Sequence, residues 1–164
     1  MAQDEFLKIG YETTVEKFRW SGPVVATREA IYCALTVANN PGFSAVGGLV
    51  GGLVGAALAA SAKSSLPFRT TIGEAPAALR APGTGPFRRM KDHVTMLVIP
   101  RGSVREIVKG SWINNTLRLT LEGDKVVIAH RLFGAAAVRD FLVATGWPLT
   151  WRGRRFHAGA VGRN

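Results

Sequence analysis

Residues 43–62, FSAVGGLVGGLVGAALAASA, hold no charged side chain and place glycine on a four-residue ladder. Gly47, Gly51 and Gly55 form one row, and Gly48, Gly52, Ala56 and Ala60 form the row beside it. Positions four apart share a face of an α-helix, so the segment predicts a helix with a side-chain-poor strip along its length. Such a strip admits another helix backbone at close range, as in small-xxx-small membrane helix pairs. Its twenty residues also match a bilayer, whose hydrocarbon layer is about 30 Å thick. The segment can cross a membrane, pair with its own copy, or pack on its own domain.

The flanking segments narrow the choice. Before the ladder, TVEKFRW (14–20), PVVAT (23–27) and AIYCALTV (30–37) read as three short strands, separated by Ser21-Gly22-Pro23 and Arg28-Glu29. Asn39-Asn40-Pro41-Gly42 ends the third. Residues 64–90 carry Pro67, Pro76, Pro82 and Pro86 with Gly73, Gly83 and Gly85, which predicts a long loop with a helical turn at Ala75–Arg80. Four further strands follow: VTMLVIP (94–100), VREIVKG (104–110), TLRLTL (116–121) and KVVIAHR (125–131). Residues 104–110 alternate Val104, Glu106 and Val108 against Arg105, Ile107 and Lys109, and the next strand sets Leu117, Leu119 and Leu121 on one face. A helix over 135–145 presents Ala137, Val138, Phe141, Leu142 and Ala144 as its apolar stripe; Gly146 caps it and Pro148 stops it. The tail WPLTWRGRRFHAGAVGRN is expected to fray after about Arg155.

Three strands, an insertion over 39–92, four strands and a terminal helix resemble the pleckstrin-homology-like fold, in particular small bacterial GRAM-like and PH-like domains. The resemblance is carried by SGPVVATREAIYCALTV, IPRGSVREIVKG, TLRLTLEGDKVVIAHR and the helix end FLVATGW, and covers about residues 10–40 and 92–147. It implies a mainly β single domain with some helix: a seven-stranded, partly open barrel, a C-terminal helix that plugs one end, and here an inserted Gly/Ala-rich helix. It also implies a binding or membrane-associated scaffold and supplies no catalytic residue.

A barrel built from both strand clusters conflicts with a membrane crossing between them. One span at 43–62 would leave the halves on opposite sides of the bilayer, with unpaired sheet edges. Three strands over about 30 residues would hardly be stable alone, which favours the one-domain reading. Two domains joined by a true span remain the structural alternative. In the favoured reading the ladder is an inserted contact helix. Its expected partners are a second copy of the chain, its own domain, or a shallow membrane site.

The net charge of +10 is unevenly spread. Residues 1–42 carry net −1, residues 63–91 net +5, residues 92–140 net +2, and residues 141–164 four arginines without an acid. That excess suits an anionic surface. Lys63, Arg69, Arg88, Arg89, Arg152, Arg154 and Arg155 are the candidates to face it. Trp147, Trp151 and Phe156, interleaved with tail arginines, suit a membrane interface or stacked single-stranded nucleic acid. A core position for Trp147 is the plainer alternative. No nucleic-acid motif is present, so lipid ranks above nucleic acid.

Catalytic patterns do not emerge. His93, His130 and His157 are widely spaced and lack a cysteine pair, so no metal site or cofactor is expected. Ala62-Lys63-Ser64 lacks the glycine a phosphate loop requires before lysine. Cys33, the one cysteine, cannot form an internal disulfide and reads as a small core residue. With Asp4 and Glu5 where a secretory leader needs positive charge, a cytoplasmic location, free or membrane-associated, is the expectation. The sequence thus predicts a non-enzymatic binding or scaffold domain without an identified small-molecule substrate. It would self-associate or attach to a membrane through the ladder. A structural oligomer-forming subunit with no lipid role, or a nucleic-acid binder, are the alternatives.

Overall fold

The computed structural model describes residues 6–15, 18–38, 69–110, 113 and 115–156. The ladder helix predicted at 43–62 and Lys63 lie outside the described residues. Within them the chain is mainly β. Eleven strands make one mixed sheet. They are β1 (Leu7–Val15), β2 (Phe18–Ala26), β3 (Ala30–Leu35), β4 (Val37–Ala38), β5 (Arg69–Thr71) and β6 (Thr95–Pro100). The others are β7 (Val104–Lys109), β8 (Thr116–Leu121), β9 (Val126–His130), β10 (Leu149–Trp151) and β11 (Arg154–Phe156). The helices are α1 (Ala77–Arg80) and α2 (Ala135–Ala144). Hydrogen-bonded neighbours run β11-β10-β7-β8-β9-β1-β2-β3-β6-β5, with β4 beside β2. Only the β10–β7 pair is parallel.

Every strand from β7 round to β6 in that order sends apolar side chains into one core. Ile9, Val24, Ile31, Leu97, Ile107, Leu119 and Val127 are all buried there. The sheet therefore curls around a shared interior. Val138 and Leu142 of α2 close over it with Trp147. Each such aliphatic side chain contributes roughly 1.5–3 kcal/mol by leaving water. The end of α2 shows why the chain turns back there. Gly146 adopts φ +77°, Trp147 N donates to Leu142 O (2.9 Å) and Gly146 N to Val143 O (3.1 Å). These bonds satisfy carbonyls the helix end would orphan and drive Trp147 inward. Its indole Nε1 then donates to Thr27 O at 3.0 Å.

The β8–β9 hairpin and α2 fall where the sequence places them. Other expectations need correction. The strand predicted at 14–20 is two strand ends, because Val15 pairs with Phe18 and the chain reverses between them. The true first strand begins at Leu7. Residues 23–27 are no separate strand either, since β2 runs through Ser21-Gly22-Pro23 with a register shift against β1 between Gly10 and Glu12. A bulge absorbs the proline's missing donor. In β7 a second shift between Val104 and Glu106 overrides the alternation read from sequence. Val104 and Ile107 both face the core. With the short strands β4, β5, β10 and β11 the sheet exceeds the seven strands expected.

The proline-rich stretch is also more ordered than a loop. Ile72, Ala75, Leu79 and Phe87 pack with Val25, Ala34 and Met96 in a second cluster on the sheet's other face. Ile72 N donates to Val94 O and Gly73 N to Asp92 O, both at 2.9 Å, and Phe87 N to Leu79 O at 2.9 Å.

Candidate functional site

Three large apolar side chains stand exposed among the described residues: Tyr11 at 39%, Ile113 at 72% and Phe133 at 45%. Local backbone geometry brings two of them, Tyr11 and Phe133, together. Phe133 N donates to Ile9 O at 3.2 Å, which ties the β9–α2 connection to β1. Lys8 Nζ then lies 4.7 Å from the Phe133 ring centroid and 5.5 Å from that of Tyr11. A cation over two ring faces is attracted by their quadrupoles. Asn115, which ends the β7–β8 connection carrying Ile113, bonds Leu132 through both side chain and backbone: Asn115 Nδ2 donates to Leu132 O at 2.9 Å. Leu132 N returns a bond to Asn115 O at 3.4 Å. Tyr11, Phe133 and Lys8 thus form one aromatic and cationic patch, with Ile113 on the adjoining connection.

Beside this patch a buried carboxylate holds the strands together. Glu12, only 4% exposed, receives ion pairs from Arg19 of β2 and from Arg131, the latter at 3.1 Å. Two guanidinium groups offset the cost of removing this charge from water. His130 Nε2 sits 2.7 Å from Thr14 Oγ1. Burial, and secondarily the charge of Arg19, push the His130 pKa below the usual histidine value, against the opposing pull of Glu12. The cluster links β1, β2 and β9 and reads as a structural ionic network.

The cations singled out in the sequence that lie among the described residues fall in three places. Arg69 is half-buried in β5 at the sheet edge; Arg88 and Arg89 are exposed on the segment covering the second cluster. Arg88 Nη1 donates to Gly85 O at 3.2 Å. Arg152, Arg154 and Arg155 are exposed on the β10–β11 hairpin. Trp147 (0% exposed) and Trp151 (6%) are buried core residues rather than surface aromatics. Phe156 packs half-buried against the same core. Gly47, Gly48, Gly51, Gly52, Gly55, Ala56 and Lys63 lie outside the described residues.

Sequence reasoning missed Lys8, Tyr11, Lys109, Ile113 and Phe133. Lys109 Nζ lies 5.8 Å from the Trp151 ring centroid and donates to Gly110 O at 3.2 Å. Burial, and then the nearby charge of Arg152, hold its ammonium below the usual lysine pKa. The available signal was the overlooked strand at 7–15, which would have placed Lys8 and Tyr11 on a sheet.

Among the described residues no group of three or more His, Cys, Asp or Glu side chains could hold a metal ion. None of their helices is long and apolar enough to cross a membrane. The chain matches no protein-family model, no curated protein and no solved structure, so its functional reading stands on its own residues.

Proposed function

We propose that this chain is a non-enzymatic binding domain of pleckstrin-homology-like build that docks on an anionic phospholipid surface. The neighbour order β7-β8-β9-β1-β2-β3-β6 followed in sequence by α2 supports that build. It is a seven-stranded meander left open between β6 and β7, with a helix over the core. The observation that carries the docking reading is the gathering of the exposed rings of Tyr11 and Phe133 around Lys8. Amphipathic rings and snorkelling lysines suit the headgroup layer. Each Lys or Arg near an anionic leaflet adds about 1 kcal/mol, and the chain's +10 charge draws it there.

Co-sedimentation with phosphatidylcholine vesicles, with and without phosphatidylserine, tests this. Binding should appear with phosphatidylserine and weaken in high salt. The double variant Ile113→Ser/Phe133→Ser should bind about tenfold less, since partial burial of two apolar side chains supplies about 1.4 kcal/mol or more. Equal binding to both vesicle types, or none, overturns the proposal. The rival reading, a subunit that assembles through Gly47, Gly51 and Gly55, is tested by light scattering. A lower mass for Gly51→Leu together with absent vesicle binding would favour it.

A further inference from the structure

An open cavity of about 460 Å³ lies where the end of β7, the β10–β11 hairpin and the start of α2 meet. Among the described residues its lining includes Lys109, Asn115, Ala135, Trp151 and Arg152 and contains no carboxylate. Glu106 accepts from Thr150 Oγ1 at 2.9 Å and lines a neighbouring cavity instead. There Arg105 and Asp124 also pair with each other at 2.8 Å.

The fold sets the backbone positions of the two cations. Trp151 pairs with Arg154 across the hairpin, so Arg152-Gly153 is its two-residue turn. Both turn residues have positive φ, +49° and +74°. That turn favours asparagine or glycine at its first position, and an arginine there is strained. Lys109 is held on the other wall by its contact with the Trp151 ring. Burial and the charge of Arg152 both disfavour the Lys109 ammonium, a conflict that a bound anion would relieve. Ala135 is the first residue of the ten-residue helix α2, whose N-cap Gly134 offers no side-chain acceptor. The positive end of that helix adds to the field of the two cations. The volume is within the range of small-molecule sites.

We infer that this cavity binds the phosphate group of a phosphate ester, with Arg152 and Lys109 as the charge partners on its two walls. Arg152 offers a planar fork suited to two phosphate oxygens, and Lys109 a point charge. The same chemistry could come from a soluble metabolite-sized phosphate or from a lipid headgroup. The inference goes beyond surface docking, because it needs a defined cavity and not merely a charged face.

Titration calorimetry of the full chain with glycerol 3-phosphate, and vesicle binding with phosphatidic acid against phosphatidylserine at equal charge, separate these sources. Glycerol 3-phosphate should bind, and Lys109→Gln and Arg152→Asn should each weaken it at least tenfold. Arg154→Gln should leave it within twofold. Arg152→Asn is the decisive variant, because asparagine suits the turn. It should melt at the same or a higher temperature than the parent while losing the ligand. A preference for phosphatidic acid would assign the phosphate to a lipid; binding of the soluble ester alone would uphold the cavity and assign its phosphate to a soluble compound. No binding of glycerol 3-phosphate and no phosphatidic acid preference would overturn the inference. So would Lys109→Gln or Arg152→Asn proteins that bind like the parent. Phosphatidylserine binding could survive either result, so the two proposals fail separately.

Discussion

On the inner face of the curled sheet, twenty-three of the described residues, from strands, the β9–α2 connection, α2 and the Trp147 turn, fill one core. On the outer face, seven do so, and Ile72, Ala75, Leu79 and Phe87 among them come from one irregular segment whose only α-helix has four residues. The inner core is made of strands that need one another for their hydrogen bonds, closed over by α2. The outer cluster is a strap docked on a sheet that already has its ladder. Local opening should therefore be far easier for the strap than for the core.

Trp147→Ala should have the largest effect, about 3–5 kcal/mol. It removes a fully buried indole and leaves Thr27 O without its donor. Cys33 reports on the outcome. It is buried in the inner core, and burial pushes its thiol up to about 12, so the native protein should resist alkylation at pH 8. Trp147→Ala should lower the urea midpoint and expose Cys33 in parallel. A variant with the parent's midpoint would show that the helix end does not hold the core.

Phe87→Ala comes next, at no more than about 3 kcal/mol, because the strap can detach before the full cost of a core truncation is felt. Hydrogen exchange should quicken at Ile72, Gly73 and Phe87, whose amides are bonded within or beneath the strap. Cys33 should stay protected. If Phe87→Ala exposes Cys33 as much as Trp147→Ala does, the two clusters are one cooperative unit and the contrast fails. Gly85→Ala should act in the same direction by about 2 kcal/mol, the scale of a typical strained substitution. Its Cβ would meet Ala81 N at 2.5 Å and Leu79 O at 2.6 Å, backbone atoms of the strap itself.

The same contrast explains what could be read in the sequence. Leu117, Leu119 and Leu121, or Val138 and Leu142, repeat at the period of their element, and that period is enough to identify it. Ile72, Leu79 and Phe87 repeat at no period, so only their burial reveals the strap. The first strand was hidden for a related reason. Its register shifts around Gly10, where a Cβ would meet His130 O at 2.7 Å, and this breaks the alternation. The reversal between Val15 and Phe18 carries none of the Asn or Gly that mark a hairpin. The patch of Lys8, Tyr11 and Phe133 was lost with that strand. Trp147 and Trp151 were readable as aromatic, but their burial depends on the turn after α2 and on the parallel pairing of β10 with β7. Gly146 and Pro148 mark the turn and make a core position for Trp147 readable, whereas the β10–β7 pairing that buries Trp151 leaves no pattern in a single sequence.

The smallest expected effects are pH dependences, and they separate the two regions once more. The folded protein holds His130 below the usual histidine pKa, mainly through burial and then through Arg19. Below about pH 6.5, the free histidine value, the unfolded chain therefore takes up more protons than the folded one. Stability falls as the pH drops through that window and levels off below the folded pKa. Glu74 behaves differently. Its carboxylate accepts from the hydroxyl of Thr70, and from Thr71 N at 3.1 Å, which holds its pKa below the usual carboxylate range. That contribution is complete above about pH 4.3 and is lost only at lower pH, as Glu74 becomes protonated. Urea midpoints measured from pH 7.5 to 5 should therefore fall for the parent and stay flatter for His130→Gln. Glu74→Gln should run parallel to the parent and slightly below it over that range, with faster exchange of the Thr71 amide. The gap should close below about pH 4, where the parent's own Glu74 becomes protonated. A flatter profile for Glu74→Gln between pH 7.5 and 5 would mean that the strap, rather than the β1–β9 network, sets the response to mild acid.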